Sequence, residues 1–179
     1  MTNNEESKEK FNEKSDVQLV INIAQQMLTL YKYDKQMTQY TVSTAKNGIG
    51  SQQDSGCTPL GKHFIAKKIG TDEPINAVFI GRVPTGEVYS AELGELHPER
   101  DWILSRILWL SGLEEGLNKG SNAHGGCDTY QRYIYIHGTP DSEPMGEPLS
   151  HGCIRMRNED ILELFEQVIE GTAVTIVAH

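Results

Sequence analysis

Short runs in which apolar or β-branched side chains fall at every second position recur along this chain, and that period of two sets the fold class. Val17–Asn22 and Met27–Tyr33 alternate in this way on either side of the polar segment Ala24-Gln25-Gln26, which predicts an opening hairpin. Further strands are expected over Tyr40–Ala45, Phe64–Ile69, Ala77–Val83, Tyr133–Ile136 and Ala173–Val177. Ile103–Leu110 carries two signals: the pairs Ile103, Leu104 and Ile107, Leu108 suit a helix, and its alternate positions suit a strand. The clearest helix runs from Glu159 to Glu170, where Ile161, Leu162, Leu164, Phe165, Val168 and Ile169 form one apolar face. Asn158 is its candidate N-cap, and Glu159 and Asp160 stand where the helix dipole favours anions. Asn47–Gly61 and Gly112–Gly126 read as loops from their glycine content. The expected class is mainly β, of the α+β type.

With 179 residues the chain has length for one domain with a substantial core. Residues 1–16 carry mixed charges with Phe11 as their one large apolar side chain, so a disordered polar tail is expected there and a folded domain over 17–179. Lys plus Arg total 16 against 25 Asp plus Glu, a net charge of −9, and no basic stripe offers neutralisation of phosphates. A nucleic acid or an anionic membrane surface is therefore not expected as a partner. The longest uncharged stretch, Val17–Tyr31, includes Gln18, Asn22, Gln25, Gln26 and Thr29 and is too short and too polar to span a bilayer. The charged N-terminus has no apolar segment behind it, so export is not expected and a cytoplasmic location is. Cys57, Cys127 and Cys153 are too few for a disulfide framework, which turns attention to thiol reactivity.

The chemistry concentrates in one stretch. A β-type run delivers His137-Gly138-Thr139, and after a Pro- and Gly-containing loop comes Ser150-His151-Gly152-Cys153-Ile154-Arg155. A thiol becomes a useful nucleophile when an imidazole stabilises or generates its thiolate, and Cys153 has two candidate imidazoles, His137 and His151. Gly152 beside it permits close approach of a substrate carbonyl to main-chain N–H groups.

The pair His137-Gly138, the eleven-residue connection 139–149 and the run Ser150-His151-Gly152-Cys153 resemble the signature of the YkuD-type catalytic domain of L,D-transpeptidases. The likeness extends to the opening hairpin with Gln25-Gln26, to Thr58-Pro59-Leu60-Gly61, and to the helix that ends before Gly171-Thr172. It implies a β-sandwich of mixed sheets with one or two short helices, including one after the cysteine. It further implies a cysteine acyltransferase acting on peptidoglycan stem peptides without a cofactor or metal.

Carried over by position, Cys153 is the nucleophile, His137 the proton donor and acceptor, and the Gly138 carbonyl the orienter of that imidazole. His151 and Gly152 would shape the oxyanion site. Arg155, Ser150 and Arg132 are the residues expected to meet substrate, with Arg155, where the signature often has Asn, the candidate partner of a carboxylate. The implied substrates are muropeptides with tetrapeptide stems, cut between the L-centre of the third-position diamino acid and the terminal D-alanine.

Trimming to tripeptides by an L,D-carboxypeptidase is the expected reaction, and 3-3 cross-linking by an L,D-transpeptidase is the alternative. A reading from another class is a noncatalytic domain stabilised by zinc through some of His124, Cys127, His137, His151 and Cys153. Nothing in the sequence speaks to oligomeric state.

Overall fold

The computed structural model describes residues 16–179. The polar tail expected over 1–16 lies, apart from Asp16, outside the described residues. The opening hairpin forms as expected from β1 (Val17–Asn22) and β2 (Met27–Lys32), and β3 (Lys35–Thr41) extends it through a tight turn in which Tyr33 and Asp34 are both left-handed. There follow β4 (Gly61–Ile69), β5 (Ala77–Ile80), β6 (Val83–Val88), the short helix α1 (Ala91–Leu96) and β7 (Ile103–Gly112). A small hairpin, β8 (Ser121–Asn122) and β9 (Gly125–Gly126), interrupts the next loop. The chain closes with β10 (Tyr135–Thr139), β11 (Ile154–Arg157), α2 (Asn158–Gln167) and β12 (Ala173–Val177).

Apart from the β8–β9 hairpin, all strands belong to one mixed sheet of order β11-β10-β7-β4-β12-β1-β2-β3, with the β5–β6 hairpin paired beside β7. The pairs β1–β12 and β10–β11 are parallel and the rest antiparallel. The sandwich expected from the family resemblance is made by this single sheet curling over. Tyr40 of β3 and Ile154 of β11, at opposite ends of the strand order, lie in the same buried cluster. Just beyond β3 the backbone of Ser43 exchanges two hydrogen bonds of 2.9 Å with Arg155, drawing the two ends together.

Helix α2 lies on β7, β10 and β11 and buries Ile161, Leu164 and Phe165 against them. β7 is therefore covered on both sides, with Leu108 and Leu110 in the main core and Ile107 and Trp109 in a second cluster. That double burial explains the continuous apolar run Ile107–Leu110, which helps the segment imitate a helix in sequence.

Three expectations are corrected. The strand expected over Tyr40–Ala45 lies earlier, at Lys35–Thr41, with only isolated bridges at Ser43 and Ala45. Helix α2 stops at Gln167 rather than Glu170, because Val168 turns extended and Lys68 Nζ donates to the carbonyls of Phe165 (2.6 Å) and Val168 (2.7 Å). Asn158 does not cap it: Arg157 holds the N-cap position, and the Asn158 side chain is buried, accepting from Ser105 Oγ (2.6 Å) and donating to the Thr139 carbonyl (2.8 Å). Both of those groups are buried, so an inward amide satisfies more than a capping contact at the surface would.

Candidate active site

β10 and β11 run side by side with Ile136 opposite Ile154, His137 opposite Arg155 and Gly138 opposite Met156. The pleat sends Ile136, Ile154 and Met156 into the main core. Tyr135, His137, Cys153 and Arg155 consequently share the other face, where Cys153 packs against the cluster containing Ile107, Trp109 and Tyr135. His137 in β10 and Cys153 immediately before β11, apart in sequence, thus come to the same face of the sheet. The strand holding His137 runs beyond it to Thr139, so the imidazole rises from the middle of β10 rather than from its end.

His137 is only 2% exposed. Its Nδ1 lies 2.7 Å from the Gly138 carbonyl, which can only accept, so Nδ1 carries the proton and Nε2 is left as the basic nitrogen. Burial holds the imidazole below its ordinary pKa, which keeps it neutral and able to act as a base. The strand register shifts between His137 and Gly138, opposite the β7 residues Leu104 to Ile107, where Ser105 adopts a left-handed φ of 69°. Position 138 tolerates no side chain: a Cβ there would sit 2.5 Å from Asn158 Oδ1 and 2.6 Å from the Leu104 carbonyl.

The Cys153 thiol is held from two sides by main chain that contributes no recognisable residue type. Its Sγ donates to the Tyr133 carbonyl at 3.4 Å and accepts the Tyr135 N–H at 3.3 Å. Tyr133 is itself left-handed, with φ 57°. Burial pushes the thiol up to about 11, with the Tyr135 N–H acting in the opposite sense. The resting pair is therefore a neutral thiol beside a neutral imidazole.

The turn before the nucleophile is closed by Ser150, whose hydroxyl donates to the Cys153 carbonyl (2.5 Å) and accepts the Gly152 N–H (3.3 Å). Gly152 has φ 131°, and its carbonyl accepts from Thr58 Oγ1 at 2.9 Å. Arg132 donates to the Gly50 carbonyl (3.2 Å), Ser55 Oγ (3.3 Å) and the Cys57 carbonyl (2.7 Å), pinning the 47–61 loop beside the site. The structure thus engages both Ser150 and Arg132, expected from the sequence to meet substrate, in holding loops.

Arg155 is buried, and its guanidinium donates to Asp101 Oδ1 at 3.1 Å with Glu143 at 3.8 Å. His151 is exposed and places Nδ1 3.5 Å from the other Asp101 oxygen. Asp101, which sequence reasoning missed, so joins the two side chains that flank the nucleophile in sequence. It comes from the connection between α1 and β7, and no local pattern marks it. A pocket of about 170 Å³ opens here between Asp101, Trp102, Thr139, Glu143, His151 and Arg155. It shares Trp102 and Glu143 in its lining with a neighbouring pocket of about 420 Å³ that reaches Tyr89 and α1.

The five residues of the zinc reading are not brought together, and the described residues contain no metal-ligating group of three or more His, Cys, Asp or Glu side chains. His124 lies exposed at the tip of the β8–β9 hairpin, and Cys127 is buried with its thiol 3.6 Å from the Lys119 carbonyl. Cys57 turns its thiol toward the carbonyls of Asn47 and Ser55.

Comparison with known proteins gives a consistent result. The chain is 50% identical over 46 residues to the probable L,D-transpeptidase YbiS of Escherichia coli (strain K12), a stretch covering 26% of this chain and 15% of that protein. It is 38% identical over 65 residues to the putative L,D-transpeptidase YkuD of Bacillus subtilis (strain 168), covering 34% and 40% respectively. Among solved structures, an L,D-transpeptidase from Mycobacterium smegmatis superposes with a TM-score of 0.54 at 17% identity, covering 91% of this chain and 59% of that one. L,D-transpeptidase 3 from Mycobacterium tuberculosis gives 0.55 at 16% identity over 90% and 61%. The latter two likenesses establish the fold. The model of the YkuD family, the L,D-transpeptidase catalytic domain, matches residues 16–176, nearly the whole described chain, and the chain belongs to that family.

Proposed function

We propose that this protein is a cysteine acyltransferase acting on peptidoglycan stem peptides, with Cys153 as nucleophile and His137 as its base. The observation that carries the reading is the pairing on one face of a thiol bracketed by Tyr133 and Tyr135 with an imidazole whose tautomer is set by Gly138. Attack by Cys153 Sγ on the carbonyl of the third stem residue passes the thiol proton to Nε2 of His137. The oxyanion forms against the main chain of the Ser150–Cys153 turn that carries the nucleophile. The imidazolium then gives its proton to the departing amine of the terminal D-alanine, leaving a thioester on Cys153. Water, deprotonated by the again neutral His137, releases the tripeptide and restores the thiol.

Hydrolysis needs only water at the thioester, and Cys153 is partly exposed. Transfer to a second stem's side-chain amine is the other reading. It is favoured by the groove running from Arg155 past Asp101 and Glu143, which has volume and negative charge for an amine-bearing acceptor. Incubation with a disaccharide tetrapeptide, followed by mass spectrometry, tests both. Tripeptide with free D-alanine supports hydrolysis, and a Cys153-dependent excess of 3-3 dimer supports transfer. Activity that survives both Cys153→Ala and His137→Ala would overturn the assignment.

A further inference from the structure

Three arginines surround the nucleophile, and their partners differ. Arg155 is already paired with Asp101, and Arg132 is held by two carbonyls and a hydroxyl. Arg82 stands apart from both. It occupies the two-residue turn Gly81-Arg82 between β5 and β6, and its guanidinium donates to the Tyr135 hydroxyl at 3.2 Å. It also lies 4.6 Å from the ring centre of Tyr133 and 5.1 Å from that of Trp109. Its neighbours are neutral tyrosine and tryptophan rings, and no ion pair to a carboxylate is found for it among the described residues.

The aromatic seat is built rather than incidental. Trp109 stacks on Tyr130 at 3.9 Å with an interplanar angle of 4°, and meets Tyr135 edge-on at 5.8 Å. The indole Nε1 donates to the Tyr130 carbonyl at 3.0 Å, which fixes the pair. Tyr135 is the link to the chemistry: its main-chain N–H meets Cys153 Sγ while its hydroxyl meets Arg82. The guanidinium is therefore one tyrosine side chain from the nucleophile, on the side away from Asp101 and Arg155. Ile80 and Val83, paired across the turn and 64% and 67% exposed, continue an apolar surface beside it. A guanidinium held on ring faces keeps N–H donors for a planar bidentate partner such as a carboxylate.

Building on the proposed acyl-transfer function, we propose that Arg82 is a specificity-determining residue that binds a carboxylate of the stem peptide. That carboxylate is either at the far end of the third residue's side chain or at the terminal D-amino acid. Tyr133, exposed beside the guanidinium, offers its ring to the aliphatic part of the same substrate.

The test separates this assignment from the catalytic one. In the Cys153→Ala protein, which cannot turn over, calorimetry compares three synthetic tetrapeptides: all carboxylates free, the third-residue side-chain carboxylate amidated, and the terminal carboxylate amidated. The free acid should bind at least about tenfold more tightly than one of the amides, and the identity of that amide names the carboxylate. Adding Arg82→Gln should erase the difference, and Arg82→Lys should retain part of it. Thermal unfolding of each variant reports whether the hairpin is intact. Equal weakening of all three peptides by Arg82→Gln, or an undiminished preference for the acid, would overturn the assignment and leave Arg82 a hairpin lock. Unmodified protein that binds the acid through Arg82 yet releases no D-alanine would overturn the proposed function and leave the carboxylate site standing.

Discussion

Raising the pH should expose the resting state of Cys153 directly. Burial pushes this thiol up to about 11, whereas an unperturbed cysteine titrates near 8.5. At pH 7 the thiolate fraction is then about one in 10⁴, against about 3% for a free cysteine. His137 is displaced in the opposite direction, below its ordinary value, so neither group is charged at neutral pH. Because the folded site favours the protonated thiol, each added pH unit multiplies the thiolate about tenfold until the pH nears 11.

Alkylation by iodoacetamide, followed at the Cys153 peptide in a Cys57→Ser background, should therefore climb about a hundredfold between pH 7 and pH 9. Substrate turnover should behave differently. Under the proposed function His137 removes the proton within the complex, so kcat/KM should hold at neutral pH and fall only as His137 becomes protonated, below the ordinary histidine range. An alkylation rate that is high and flat from pH 6 to pH 9 would show a preformed thiolate–imidazolium pair and refute this reasoning.

Two further outcomes follow from the packing. Gly138→Ala places a Cβ 2.5 Å from Asn158 Oδ1 and 2.6 Å from the Leu104 carbonyl, and should cost about 1–3 kcal/mol in denaturant unfolding and also lower kcat. Unchanged stability and rate would mean that neither the packing nor the orienting carbonyl matters as described. His63 is 1% exposed, bonded to Thr129 Oγ1 (2.9 Å) and the Gly61 carbonyl (3.0 Å), and burial lowers it to about 4. Since the unfolded chain binds this proton near 6.5, its contribution is complete above that pH and is lost as the pH falls toward 4, roughly 3 kcal/mol in all. A His63→Gln protein should lose that part of the acid sensitivity, and an unaltered pH–stability curve would count against it.

What the sequence made legible follows exposure and locality. β1, β2 and β12 alternate because one face of each meets the main core, and their bounds agree with the pattern to within a residue at β2. The alternation places β3 too late, and the strand expected over Ala77–Val83 breaks at Gly81-Arg82 into β5 and β6, because β3 and β6 lie at the margins of the sheet with mostly exposed side chains; β6 carries Pro84 and Gly86, which an edge strand tolerates. The six-residue α1 buries no side chain fully, so it has no apolar face to read.

At the site, Cys153, His137 and Gly138 were legible because a compact motif carries them. The groups that hold the thiol are main-chain atoms of Tyr133 and Tyr135, which any residue type could supply. Asp101 and Arg82 come from connections remote in sequence, brought in by the pairing of β7 with β10 and of β5 with β7. Arg155 is expected from the sequence to partner a substrate carboxylate, and the carboxylate it meets, Asp101, lies 54 residues away and so is not visible locally.

The central claim is a thioester at Cys153, and rapid acid quench of the protein with a tetrapeptide substrate tests it most directly. Peptide mapping by mass spectrometry should find the acyl group of the trimmed tripeptide on the segment containing Cys153. That adduct should be absent from the Cys153→Ala protein and should not form on Cys57 or Cys127. Turnover without a Cys153 adduct, or an adduct confined to either loop cysteine, would contradict the account.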